Sequence, residues 1–98
     1  MPNHVYVVAR FFARPEKVSE LAALAAGLLA PTRAEPGCVR YDLWRNDADP
    51  LEFAMIEEWR SAADLDRHLG LPHLEHAKAR LPEFLAKPLE ITRFSLVG

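Results

Sequence analysis

A carboxylate, an indole and an imidazole stand close together in the second half of this chain: Glu57, Trp59 and His68. Glu57 and Trp59 are two apart in a segment that reads as a strand, so both side chains project to one side of it. His68 follows about two turns into the next helix, near enough for that helix to fold back and lay the ring over the strand. A carboxylate beside an imidazole fixes its tautomer and raises its basicity, as a general base near neutral pH requires. Trp59 would offer a flat wall to an aromatic molecule. The same residues also have a plainer reading, in which Glu57 pairs with an arginine, Trp59 fills core and His68 packs or caps.

Other reactive side chains give less. His73 and His76 are three apart on a helix and can share a face. Gly70 and Pro72, however, interrupt the helix between His68 and His73, and the spacing matches no usual helical metal site, so no metal is expected. His73 is placed at a cavity mouth and His76 on a solvated face. Arg10 is a lone charge in an apolar strand, which calls for a partner such as Glu57 or Glu90, or for a cavity. Tyr6 and Tyr41 carry phenols into the sheet interior, where packing accounts for both. Cys38 stands alone, which excludes an internal disulfide and a cysteine-rich zinc site, and its setting is not that of an activated thiol. Ser19, Ser61 and Ser95 belong to no nucleophile elbow. The four glycines are scattered at 27, 37, 70 and 98, so phosphate loops and dinucleotide fingerprints are absent.

The elements that have to position these groups follow from the pattern. His4 to Phe12 is apolar on both faces apart from Arg10, the mark of a central strand. Pro15 and Glu16 suit a first helical turn. Val18, Leu21, Ala22, Ala25, Leu28 and Leu29 then form one helical face, with Pro31 expected to kink or end it. A second strand runs from Cys38 to Arg45, with Val39, Tyr41 and Leu43 on one face. Asn46 to Pro50 is a turn cluster. The third strand, from about Leu51 to Trp59, puts Leu51, Phe53, Met55, Glu57 and Trp59 on one face. Ser61 to Asp64 resembles a capping box. The helix that it opens is interrupted at Gly70-Leu71-Pro72 and resumes towards Leu81. Leu89 to Val97 alternates as a fourth strand.

That order, β-α-β-β-α-β, predicts an α+β, ferredoxin-like fold: a four-stranded antiparallel sheet with both helices on one face. The first strand is apolar on both sides, so the uncovered face needs a partner. A second copy of the chain is the economical one, giving a homodimer. At 98 residues the chain is read as one domain, 1–98, with a thin core that association would help.

Twelve Lys and Arg against fourteen Asp and Glu leave a net charge of −2, no electrostatic footprint for nucleic acid or an anionic membrane. No stretch approaches the ~20 apolar residues of a membrane span, and the N-terminus has no signal-type pattern. A cytoplasmic protein is expected. The preference for Arg over Lys points to a GC-rich bacterial genome.

Glu35-Pro36-Gly37-Cys38-Val39-Arg40-Tyr41 resembles the "EPGC-x-x-Y" junction of the antibiotic biosynthesis monooxygenase family. Phe53 through Glu57 and Trp59, then Ala63 and His68, resemble that family's "F-x-x-x-E-x-W-x-s-x-x-A-x-x-x-x-H" stretch, and Pro72-His73 its "s/t-P-H" step. The resemblance runs along essentially the whole chain. It implies a dimeric α/β barrel and an oxygenase that uses neither metal nor organic cofactor, acting on a small quinol or polyphenol with O₂. In that reading His68, helped by Glu57, takes the phenolic proton, and Trp59, Phe53 and Met55 shape the pocket with Tyr41, Arg10 and His73. Haem-degrading relatives resemble an Asn–Trp–His set, and no Asn lies between His4 and Phe12. The alternative from a different class is a non-catalytic or stress-response dimer whose pocket holds a small aromatic ligand. A quorum-signal-processing role is a further option within the family.

Overall fold

The computed structural model describes residues 3–98. Strand β1 (Val5–Phe12) alternates, with Val7, Ala9 and Phe11 buried on one side and Tyr6, Val8, Arg10 and Phe12 on the other. A 3₁₀ turn at Pro15–Lys17 leads into α1 (Val18–Ala26). The helix breaks at Gly27-Leu28 and restarts as α2 (Leu29–Arg33). The break therefore comes before Pro31, which sits in the first turn of α2. Its missing N–H costs nothing there, because first-turn N–H groups have no intrahelical acceptor.

Strands β2 (Cys38–Asn46) and β3 (Asp49–Trp59) form a hairpin, and β3 also pairs with β1. Cys38 lies opposite Trp59 and Arg40 opposite Glu58, so Val39 is an extra residue in a bulge. The bulge reverses parity. Cys38 and Tyr41 share the inner face, while Val39, expected beside Tyr41, is exposed. Helices α3 (Ala62–Leu69) and α4 (Pro72–Arg80) follow, separated at Gly70-Leu71 as their sequence predicts, with Pro72 opening α4. A 3₁₀ turn, Leu81–Glu83, precedes β4 (Glu90–Phe94). That strand stops at Phe94, opposite Tyr6 near the start of β1, rather than continuing to Val97.

The strand order β2-β3-β1-β4, antiparallel throughout, is the ferredoxin-like α+β arrangement. Leu21, Ala25, Leu65, Leu74 and Ala77 pack with Val7, Ala9, Met55 and Trp59 in one core between the helices and one sheet face. The other face carries Tyr6, Trp44, Ile56 and Phe94 with no helix over them, and Trp44, Ile56 and Phe94 are exposed. Among the described residues no helix is long and apolar enough to cross a membrane.

Candidate active site

The site is assembled by a staple between two distant segments. Gly37 adopts φ 85°, and a Cβ there would lie 2.3 Å from the Asp64 side chain, so glycine is needed on both counts. Asp64 stands in the first turn of α3, where its N–H donates to the N-cap hydroxyl of Ser61 at 3.1 Å. Arg67 bonds the Asp64 carboxylate and also reaches the Pro36 carbonyl at 3.1 Å. The turn before β2 is thus tied to the start of α3, and Glu35 is carried over that helix's last turn.

Glu35 Oε2 accepts two hydrogen bonds, from His68 Nδ1 at 2.8 Å and from His73 Nε2 at 2.7 Å. His68 is in the last turn of α3 and His73 is the second residue of α4. The Gly70-Leu71 corner is what lets both rings reach one carboxylate. The His68 ring lies against Trp59, with centroids 4.6 Å apart, and edge-on to Tyr41 at 5.6 Å. Glu57, directly opposite Tyr41 in the sheet, accepts from Trp59 Nε1 at 2.9 Å. Tyr41, Glu57 and His68 are the polar side chains on an internal cavity of about 50 Å³, together with Lys78 at its edge and apolar residues including Val7, Leu74, Leu81 and Leu89.

This setting is dry, and ionisation responds accordingly. Burial pushes the Glu57 carboxyl up to about 7, against the opposing hydrogen bond from Trp59. Burial also pushes His68 below its ordinary value, with Glu35 pulling the other way, so the neutral ring is favoured. The Tyr41 phenol is raised by burial and by the nearby Glu57. Cys38 is pushed up to about 11, again chiefly by burial, which leaves it an inert thiol. An imidazole held mainly in its neutral form between two aromatic rings, and itself buried, can accept a proton from a weak acid.

A family model of antibiotic biosynthesis monooxygenases matches residues 4–80. The chain belongs to that family. It is 42% identical over 92 residues to "Putative monooxygenase Rv0793" of Mycobacterium tuberculosis, an alignment spanning 94% of this chain and 90% of that protein. The solved structure of Rv0793 superposes with a TM-score of 0.93 over 97% of this chain and 96% of its own, at 38% identity. PA3566 from Pseudomonas aeruginosa also gives a TM-score of 0.93, over 100% and 98% of the two chains at 31% identity.

Against this frame of family and fold, the sequence-derived residues divide. His68, Trp59, Glu57 and Tyr41 meet on the helix-covered face, and His73 joins them through Glu35. Glu57 bonds Trp59, and among the described residues the carboxylate bonded to His68 is Glu35, which sequence reasoning passed over. Phe53 and Met55 do not line the cavity. They lie further along β3 from Glu57, at 3% and 0% exposure, and fill core. Arg10 is on the opposite face, because even-numbered residues of β1 point away from the helices. It pairs there with Glu52 at 2.7 Å and Glu90 at 3.5 Å, not with Glu57. His73 opens onto an outer groove between α1 and α4 rather than the mouth of the inner cavity.

The helix break between His68 and His73, taken in the sequence as one ground against a metal site, nonetheless leaves the two rings together. Glu35, His68 and His73 each offer a donor atom within 4.8 Å of the others. Their contacts are hydrogen bonds at 2.7 and 2.8 Å. Metal bonds of about 2.0–2.1 Å to each donor would require His68 Nδ1 and His73 Nε2 to give up their protons, each ring switching tautomer, and a wider spread of the three atoms.

Proposed function

We propose that the chain is a monooxygenase that inserts oxygen from O₂ into a small quinol or polyphenol, using neither metal nor organic cofactor. The observation that carries this reading is the buried His68, bonded through Nδ1 to Glu35 and held between Trp59 and Tyr41 on the wall of a small, mostly apolar cavity. Family membership and the monooxygenase name of the Mycobacterium relative support it. His68 takes the phenolic proton, and the resulting phenolate is electron-rich enough to reduce O₂ itself. One oxygen atom enters the ring and the other leaves as water, the two electrons and two protons for that water coming from the quinol itself, which is released as a hydroxyquinone. The protein supplies deprotonation, orientation and exclusion of water.

A cavity of about 50 Å³ is too small for an aromatic ring. Lys78, Leu81 and Leu89 form a common wall between it and an outer apolar groove of about 510 Å³ beneath Pro82, Leu85 and Pro88. Substrate is admitted in this reading by displacement of the Leu81–Leu89 connection, which merges the two spaces. The working unit is a cytoplasmic homodimer paired through the open sheet face, where Trp44, Ile56 and Phe94 are exposed.

Oxygen-electrode assays of metal-free protein against a panel of hydroquinones test the proposal. At least one should be consumed with O₂, and His68→Ala should lower its turnover by about 10²–10⁴-fold with the fold retained. No uptake by the wild type, or full turnover per folded molecule in the variant, contradicts it.

A further inference from the structure

Assigning His68 as the base leaves a pair of groups unused. Among the described residues Glu35 is one of four buried polar or charged side chains, at 8% exposure, and its Oε1 has no hydrogen-bond partner there. All of its hydrogen bonding falls on Oε2, shared by two imidazoles that lie on different helices. Among the described residues no Lys or Arg pairs with it, and its polar side-chain contacts are those same two rings. A desolvated carboxylate held in this way acts strongly on whatever it touches, because little else competes for it.

We propose that Glu35 and His73 are the positioning residues of the base: Glu35 locks His68 in the tautomer whose Nε2 is free to accept, and His73 sets how strongly Glu35 pulls. This rests on the reading of His68 as the base. A carboxylate oxygen accepts, so His68 donates from Nδ1, and in a neutral ring Nε2 then carries the lone pair. Without Glu35 the ring has no reason to prefer that tautomer, and half or more of the molecules would present an N–H where a base is needed.

His73 adds the second half of the device. Its Nε2–H occupies the same oxygen, so Glu35 is divided between two donors and its hold on His68 is weaker than a one-to-one pair would give. His73 itself stands in the groove between α1 and α4, with Glu20, Leu24, His76 and Arg80 around it. A residue of α4 at the molecular surface thereby tunes a base buried on α3. The other titratable groups at the base are Glu57 from β3, Tyr41 from β2 and Lys78 from α4.

Long-range nitrogen–proton NMR of the labelled protein reads the ring nitrogens directly and without any substrate. The wild type should show His68 protonated at Nδ1 and bare at Nε2 at neutral pH. In Glu35→Gln that preference should be lost, and turnover of a responsive hydroquinone should fall about 10²-fold in kcat with KM little changed. In His73→Gln the tautomer should persist while the His68 titration midpoint moves up. An Nε2-protonated His68 in the wild type overturns the proposal, as does an unchanged tautomer in Glu35→Gln. If Glu35→Gln fails to fold, the wild-type tautomer and the direction of the His73→Gln shift still decide it. Absence of O₂ uptake in the wild type would instead defeat the proposed activity, and the ring-nitrogen result would then judge the clamp alone.

Discussion

The two faces of the sheet treat the same residue types in opposite ways. Glu52 and Glu57 belong to one strand and point to opposite sides. On the open side, hydrogen bonds from Asn46 and then Arg10 hold the Glu52 carboxyl below its ordinary value. On the helix-covered side, burial pushes Glu57 up to about 7, and its hydrogen-bond partner is a neutral indole. The tryptophans divide likewise: Trp59 is 0% exposed and packed on His68, whereas Trp44 is 54% exposed with no helix above it. Charge on the open face is paired, as between Arg10 and Glu52, and Glu58 there is hydrogen-bonded to His4. Charge on the covered face is left under tension, where it can be useful to chemistry.

That contrast predicts unequal costs. Trp59→Ala should destabilise the protein by about 3–5 kcal/mol in urea denaturation, since it opens a cavity in the core. Trp44→Ala should shift monomer stability by no more than about 0.5 kcal/mol and act instead on the proposed dimer, moving its sedimentation towards monomer at micromolar concentration. Equal destabilisation by the two would break the comparison.

A somewhat smaller effect is expected from Glu57. In the folded protein it holds its proton up to about pH 7, whereas the unfolded chain releases it near 4.5. Its stabilising contribution is therefore complete below about 4.5 and is lost as pH rises through 7, a swing of about 3 kcal/mol. His68 is lowered on folding, so its contribution runs the other way, present above 6.5 and lost as pH falls. Comparing urea midpoints of wild type and Glu57→Gln from pH 5 to 8 isolates the carboxylate. The variant should gain relative to the wild type as pH rises, and parallel curves would show that Glu57 is not perturbed.

Much of the framework was legible from local pattern. The Ser61 cap, Pro15 and Pro72 as helix starters and the break at Gly70 all act through neighbours a few residues away, as does the turn expected over Asn46–Pro50, which is confined to Asp47-Ala48 with Asn46 ending β2 and Asp49-Pro50 opening β3. The bulge at Val39 was not, because it depends on how β2 registers against β3. It also matters most: without it Tyr41 would leave the inner face. Glu35 was hidden for a similar reason. It reads as part of a turn, and its partner lies 33 residues along the chain, brought near only by the contact of Gly37 with Asp64. Arg10 was mislocated because a strand apolar on both sides gives no parity signal to say which face an exception takes.

The central claim is that a phenolic ligand belongs on the helix-covered face. Titrating a redox-inert phenol into labelled protein and following amide and side-chain resonances tests it without requiring turnover. Shifts concentrated on Tyr41, Glu57, His68 and the Leu81–Leu89 connection are expected, with Trp44, Ile56 and Phe94 unmoved. Shifts confined to the open face, with His68 and Tyr41 silent, would contradict it.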